Sequence, residues 1–301
     1  MKRLVMFILL LSGAAQAAER GEPTIKVGEE TRAYLLHVPA SAPKENRPLV
    51  VAFHGGGTSA AVMEHFSGLS EKADAAGFVV AYPEGSGRVN RVLTWNAGAC
   101  CGHAAERKAD DVAFAAALID ELIAKVRVDP RRVYVTGMSN GAMMAYRVAA
   151  ELPERVAAVA AVAGGLEIDP AAVRVPMPVL HFHGTADEYA PYKGGKGGRS
   201  GLGHAHRPVA ETVATWVKVN GAEPFVVSVA LADHDRNDGT RVVRHEHAAG
   251  KAGVEVVLYE IQGGGHTWPG RARREALLGA TSMDVSANDA IWEFFSRHHK
   301  P

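Results

Sequence analysis

The chain has almost no cysteine, no excess of either charge and only one long apolar run, and each scarcity narrows what it does. Lys plus Arg number 33 and Asp plus Glu number 33, so no basic excess points to nucleic acid and no acidic excess to a cationic polymer. No nucleic-acid partner is therefore expected. No repeat recurs along the 301 residues, and no Pro- or Ser-rich linker leads to a second module. The apolar run lies at the start. Met1-Lys2-Arg3 precedes the apolar stretch 4–11, and Ala15-Gln16-Ala17 follows as a small-x-small cleavage site. A basic head, a short apolar middle and small residues at the end make a secretory signal peptide over residues 1–17, too short for a membrane span. Residues 18–301 are read as one large domain in periplasm or medium, with no membrane attachment once the leader is removed.

The only two cysteines, Cys100 and Cys101, are adjacent. A secreted setting favours oxidation. Neighbouring Cα atoms lie about 3.8 Å apart across a trans peptide and about 2.9 Å across a cis one, closer than the usual disulfide separation of about 4.4–6.8 Å. A vicinal disulfide, two buried thiols and a bridge to another chain are the three arrangements left open.

What is present is a set of four glycine-rich junctions. Gly137-Met138-Ser139-Asn140-Gly141 separates a β-branched, aromatic segment at 132–136 from a run of strong helix formers at 142–150. A Gly-x-Ser-x-Gly at a strand-to-helix turn is a nucleophile elbow, in which the glycines tolerate a strained serine and a close strand–helix approach. The amide of Asn140, at a helix N-terminus, then faces a developing oxyanion. A plain capped turn would also use these residues, so the other junctions decide the reading.

Upstream, the apolar segment 48–53 ends in His54-Gly55-Gly56-Gly57-Thr58, where a second oxyanion donor belongs; Gly56 is the first choice and Gly57 the next. Downstream, a strand through Val179 and Phe182 ends in His183-Gly184-Thr185-Ala186-Asp187. Asp187 is placed to orient an imidazole, with Glu188 as its neighbour and rival. The segment 254–261 then leads into Gly263-Gly264-Gly265-His266-Thr267-Trp268-Pro269-Gly270, which offers His266 as general base. The order Ser139, Asp187, His266 is that of the α/β-hydrolases.

Strands alternate with helical patterns at 60–76, which ends at Gly77, and at 112–126, with Asp110 as N-cap. Further strands are read at 78–82 and 155–163, an antiparallel edge pair at 24–28 and 32–38, and a last helix opens at Ser286 and Asp289. This α/β alternation predicts an α/β-hydrolase fold, a mostly parallel sheet covered on both faces in a single domain. Two long loops, 83–109 and 193–207, are expected at the rim of the site. Trp95 and Trp268 are expected to line the acyl or alcohol pocket, with Met138 as a third substrate-binding residue.

Fourteen histidines raise the question of a metal. The pairs His181/His183, His204/His206 and His245/His247 are spaced i,i+2, but none sits in a metallohydrolase signature such as His-Glu-x-x-His. His204 and His206 fall in a glycine-rich loop suited to adventitious binding only, and Asp233 to Gly239 reads as a hairpin turn rather than a calcium loop. No metal site is expected.

With these junctions in place the chain resembles the secreted polyhydroxybutyrate depolymerase-family esterases, which are similar to the feruloyl and acetylxylan esterases of carbohydrate esterase family one. The resemblance is carried by the His54, Ser139, Asp187 and His266 motifs, by Asp129-Pro130-Arg131-Arg132 before the elbow and by Asp110-Asp111-Val112-Ala113-Phe114, and runs from about residue 31 to 295. It implies hydrolysis of an ester substrate by a serine nucleophile with no metal or cofactor. Feruloyl or acetyl esters of plant polysaccharide and hydroxybutyrate-type polyesters are the substrate classes it leaves open. A peptidase of the same fold, an inactive hydrolase-fold binding protein and a metal-dependent hydrolase are the rivals from other classes.

Overall fold

The computed structural model describes residues 22–89, 91–199, 203–222, 226–250, 253–271 and 276–301. The leader read at 1–17 lies outside them. Ten strands form one sheet in the order β1-β2-β4-β3-β7-β8-β9-β14-β13-β12. They are β1 (Thr24–Val27), β2 (Glu30–His37), β3 (Arg47–Phe53), β4 (Val79–Pro83), β7 (Val128–Met138), β8 (Ala158–Val162), β9 (Val179–Gly184), β12 (Val226–Ala230), β13 (Arg241–His247) and β14 (Val256–Gln262). The six central strands, β4 to β14, run parallel, and an antiparallel pair closes each edge. Two small hairpins, β5 (Ser86–Val89) with β6 (Val92–Thr94) and β10 (Gly195–Lys196) with β11 (Ala205–His206), lie in the two long loops.

The central strands carry buried apolar runs, such as Leu49–Phe53, Val79–Tyr82 and Ala158–Val162, because both faces of the sheet are covered. On β3, Leu49, Val51 and Phe53 enter one core while Val50 and Ala52 enter the other. The first core is covered by α4 (Asp111–Val126), α5 (Asn140–Glu151) and α6 (Val209–Asn220), through residues such as Phe114, Met143 and Trp216. The second is covered by α1 (Ala60–Ser67), α2 (Leu69–Ala76) and α7 (Ala287–Arg297), through Met63, Leu69, Ile291 and Phe295. A short α3 (Gly102–Glu106) follows the cysteines.

The chain leaves β3 toward β4 on one side and returns to β7 on the other, so the sheet reverses its winding between β3 and β7. Ligand crevices of open α/β sheets form at that point, beyond the carboxyl ends of the strands. The His54 loop and the Ser139 elbow emerge there.

Three of the differences from the sequence reading have a visible cause. The helix expected over 60–76 is two helices, broken at Gly68, whose φ of 63° lies in the left-handed region. The Asn288 amide of α7 donates to the carbonyls of Ser67 and Gly68, at 2.8 and 3.1 Å, so a distant helix sets the break. The strand expected at 155–163 begins at Ala158, because Arg155 and Val156 turn back to bond the carbonyl of Leu152. β7 is longer than 132–136 because Val128 already pairs with Arg47. The cap of α4 forms as read: the Asp110 carboxylate accepts from Ala113 N at 3.0 Å.

One buried ion pair ties β2 to the start of α4 and to the loop carrying Asn96. The guanidinium of Arg32 on β2 donates to Asp111 Oδ1 at 2.8 Å and to the carbonyl of Glu84 at 3.0 Å, and lies over the Phe114 ring. Asp111 Oδ2 accepts from Asn96 N at 2.8 Å. Since the carboxylate side chain is fully buried, removing it strands a buried cation. Asp111→Ala is expected to lower unfolding free energy by about 3–5 kcal/mol in a denaturant titration. A loss below about 1 kcal/mol would assign the pair no such role.

Candidate active site

The elbow follows from steric limits on three residues. Ser139 caps α5 with φ 58° and ψ −125°, a conformation that L-residues seldom adopt. A Cβ on Gly137 would lie 2.8 Å from the Phe53 carbonyl oxygen, and one on Gly141 would collide with the carbonyls of Phe53 and His54. The helix therefore approaches β3 at a distance only glycine permits. Ser139 N–H is held by Val162 O at 2.9 Å, and the Asn140 N–H begins the helix without an intrahelical acceptor.

The acid and base loops are laced to each other. Ala186 N–H donates to Gly264 O at 2.9 Å, and Gly263 N–H to Thr185 Oγ1 at 2.9 Å. Asp187 Oδ2 then meets His266 Nδ1 at 2.7 Å, while its other oxygen accepts the amides of Tyr189 and Ala190, each at 2.8 Å. Burial pushes the Asp187 carboxyl up, but the His266 bond, the nearby His266 and His183 imidazoles and the Ala190 amide together hold it below the usual carboxylate range. An ionised Asp187 fixes His266 with its proton on Nδ1 and leaves Nε2 as the basic atom. Tyr189 stacks on the imidazole with ring centroids 5.1 Å apart.

Ser139 and His266 open into one cavity of about 470 Å³, walled by Gly55, Gly56, Gly57 and Asn140 on one side and by Val62, Met63, Phe66, Met143 and Leu278 elsewhere. Met138, expected as a substrate-binding residue, lines it. Both long loops reach it, through Cys101 from the first and Arg199 and His206 from the second. Cys100 and Cys101 are paired with each other, their Cα atoms 3.1 Å apart.

Of the two glycines read as oxyanion donors, Gly57 is excluded by its partner. Its N–H donates to Leu93 O at 2.8 Å, which pins the loop to β6. No hydrogen bond engages the Gly56 N–H among the described residues, and both Gly56 and Asn140 line the cavity.

The two tryptophans do not line the cavity. Trp95 is fully buried, edge-on to Phe53, and its indole N–H donates to His54 O at 2.9 Å. Its backbone N–H and carbonyl are bonded by the Asn140 side chain at 2.7 and 3.1 Å. Trp95 thus ties the His54 loop to the elbow from beneath. Trp268 donates from its indole to Asn288 Oδ1 at 2.9 Å, which anchors the His266 loop to α7. Proximity in sequence to a loop motif pointed to the pocket, but an indole with a buried acceptor available packs inward.

Two histidines beyond the sequence-read set support the acid. Tyr146 Oη–H donates to His181 Nδ1 at 2.8 Å, His181 Nε2–H to His183 Nδ1 at 3.1 Å, and His183 Nε2–H to Ala190 O at 2.7 Å. Both rings are neutral in this string, and burial pushes both below their usual pKa. His183 Nε2 also lies 3.5 Å from Asp187 Oδ2.

A match to the esterase PHB depolymerase family spans residues 32–192. The chain is 39% identical over 283 residues to a protein of Nocardia uniformis subsp. tsuyamanensis named "Putative esterase NocK", covering 90% of this chain and 80% of that one. It is 31% identical over 231 residues to feruloyl esterase B of Piromyces equi, covering 73% of this chain but only 39% of that longer protein. The acetyl xylan esterase of Aspergillus awamori superposes with a TM-score of 0.60 at 17% identity, over 91% of this chain and 98% of that one, a likeness of fold.

His54, the first residue of its motif, makes a stability prediction. Nδ1–H donates to Gly55 O at 2.9 Å and Nε2 accepts Gly85 N–H at 3.0 Å, so the ring has no room for a second proton. Burial, opposed by the Gly55 bond and aided by Arg32, lowers its pKa to about 4. Between about pH 6.5, where an exposed imidazole titrates, and about pH 4 the unfolded chain binds a proton that the native chain refuses. Stability is expected to fall as pH drops through that window, by roughly 3 kcal/mol from this residue, and to be flat above it. Thermal midpoints measured from pH 7.5 to 4.5 check this against His54→Gln, which should show the shallower slope. Equal slopes would remove His54 from the account.

The chain has the α/β-hydrolase fold, belongs to the esterase PHB depolymerase family and is a carboxylic ester hydrolase.

Proposed function

We propose that this enzyme cleaves feruloyl or acetyl esters of plant polysaccharide, or related small esters, through an acyl-enzyme on Ser139. The observation that carries the reading is that His266, oriented by Asp187 at 2.7 Å, shares one cavity with a serine in a strained elbow. Ser139 Oγ attacks the ester carbonyl as His266 Nε2 takes its proton, and the amides of Gly56 and Asn140 receive the oxyanion. The alcohol leaves with the proton from His266. Water, activated by the same base, then releases the acid. The Asp187 carboxylate stabilises the imidazolium in both halves without itself being protonated.

The substrate class rests on the cavity and the relatives together. Walls of Met63, Phe66, Met143 and Leu278 suit an apolar or aromatic acyl group, and the volume of about 470 Å³ lies in the ordinary range for small-molecule sites. Feruloyl esterase B is among the relatives. Hydroxybutyrate-type polyesters, favoured by the family match, are the second reading. Secretion is part of the proposal; no helix of the described residues is long and apolar enough to cross a membrane.

Rates on methyl ferulate, acetylated xylan, short p-nitrophenyl esters and hydroxybutyrate oligomers test it. Methyl ferulate or acetylated xylan should give the highest kcat/KM; a clear preference for the oligomers would favour the polyester reading. Asp187→Asn is expected to lower kcat by about 10⁴ with little change in KM, through loss of the correct imidazole tautomer. A variant retaining more than a tenth of the wild-type kcat would remove Asp187 from the triad.

A further inference from the structure

Glu167, His204 and His206 converge beside the cavity, which His206 lines, outside the proposed triad. Each offers one ligand atom, and the three atoms lie within 4.8 Å of one another. His204 Nε2 is 2.8 Å from Glu167 Oε2, and His206 Nδ1 is 3.7 Å from Oε1, beyond hydrogen-bonding distance. The two rings meet edge to face with centroids 5.0 Å apart. The His206 side chain is more than nine-tenths buried, yet neither ring nitrogen has a hydrogen-bond partner among the described residues. A buried imidazole of this kind needs an acceptor, a donor or an ion.

The backbone prepares the cluster. Thr212 Oγ1 on α6 accepts Leu166 N–H at 3.0 Å, and Ala99 N–H donates to Glu167 O at 2.9 Å, so the residue carrying the carboxylate is held from two sides. His206 lies on β11, paired with Gly195 of β10, and His204 just before the strand brings its ring against that of His206.

We propose that Glu167, His204 and His206 bind one divalent transition-metal ion of the zinc type. Two imidazoles and a carboxylate are a zinc donor set, whereas calcium and magnesium call for oxygen ligands. Donor atoms about 2.0–2.2 Å from a tetrahedral ion lie about 3.4 Å apart, within reach of small side-chain rotations here. The ion replaces the hydrogen bond between His204 and Glu167, and any proton displaced from the pair goes to solvent. Three protein ligands leave a fourth position for water or a substrate oxygen. Because His206 lines the same cavity as Ser139, the ion would pin the β10–β11 hairpin to the loop after β8 and set that wall of the cavity.

The full chain, stripped with chelator, is titrated with zinc chloride by calorimetry. One ion per chain is expected, with affinity lowered on the order of 100-fold or more in His206→Ala and in His204→Gln, since even indirect supports of a ligand cost about 10–100-fold. Ser139→Ala should bind zinc as the wild type does, which separates this site from the ester reading. X-ray absorption of the zinc-loaded wild type, which needs no variant to fold, should report two imidazoles and a carboxylate. No binding, a shell without two imidazoles, or binding kept by both variants would overturn the proposal, the last by assigning the ion to other histidines.

Discussion

The backbone of Ser139, at φ 58° and ψ −125°, is the constraint on which the rest of the site depends. Such a conformation costs on the order of 1–3 kcal/mol and persists only where its surroundings over-determine it. They do so from three directions. Gly137 and Gly141 let α5 press against β3, the Val162 carbonyl on β8 holds the serine amide, and the Asn140 side chain clasps the backbone of Trp95. Trp95 in turn holds the His54 carbonyl, so one set of contacts joins the proposed nucleophile to the proposed oxyanion loop. A helix that could not approach β3 so closely would relax the serine and misplace both amides.

The same rigidity extends to the acid and base. Asp187 is bonded through both oxygens, and a neutral string from Tyr146 through His181 and His183 ends on Ala190, whose amide is one of its donors. Burial keeps both imidazoles neutral, although the Asp187 charge favours a proton on His183. The site therefore has one ionised partner for one base.

Much of this was legible in the sequence because the elbow, the glycine loop and the acid and base loops are local patterns on strand ends. Their order follows from chain direction alone. What the sequence did not reveal depends on partners far along the chain. The Gly57 amide is spent on Leu93, the Trp95 indole on His54 and the Trp268 indole on Asn288, and no spacing rule signals such pairs. The break at Gly68 is set by Asn288 on the last helix. Glu167 lies 37 residues from His204, so the two histidines read as a loop pair with no third ligand. A short i,i+2 histidine pair acquires meaning only when folding supplies the carboxylate.

The central claim is that Ser139 is the nucleophile, activated by His266 and Asp187. A serine-directed fluorophosphonate tests it most directly, with intact mass, peptide mapping and residual ester turnover followed on one sample. The account predicts one label per chain, on Ser139, with turnover lost in proportion to labelling and labelling slowed in His266→Ala. Turnover that continues with Ser139 fully labelled, or a stoichiometric label on another residue, would contradict it.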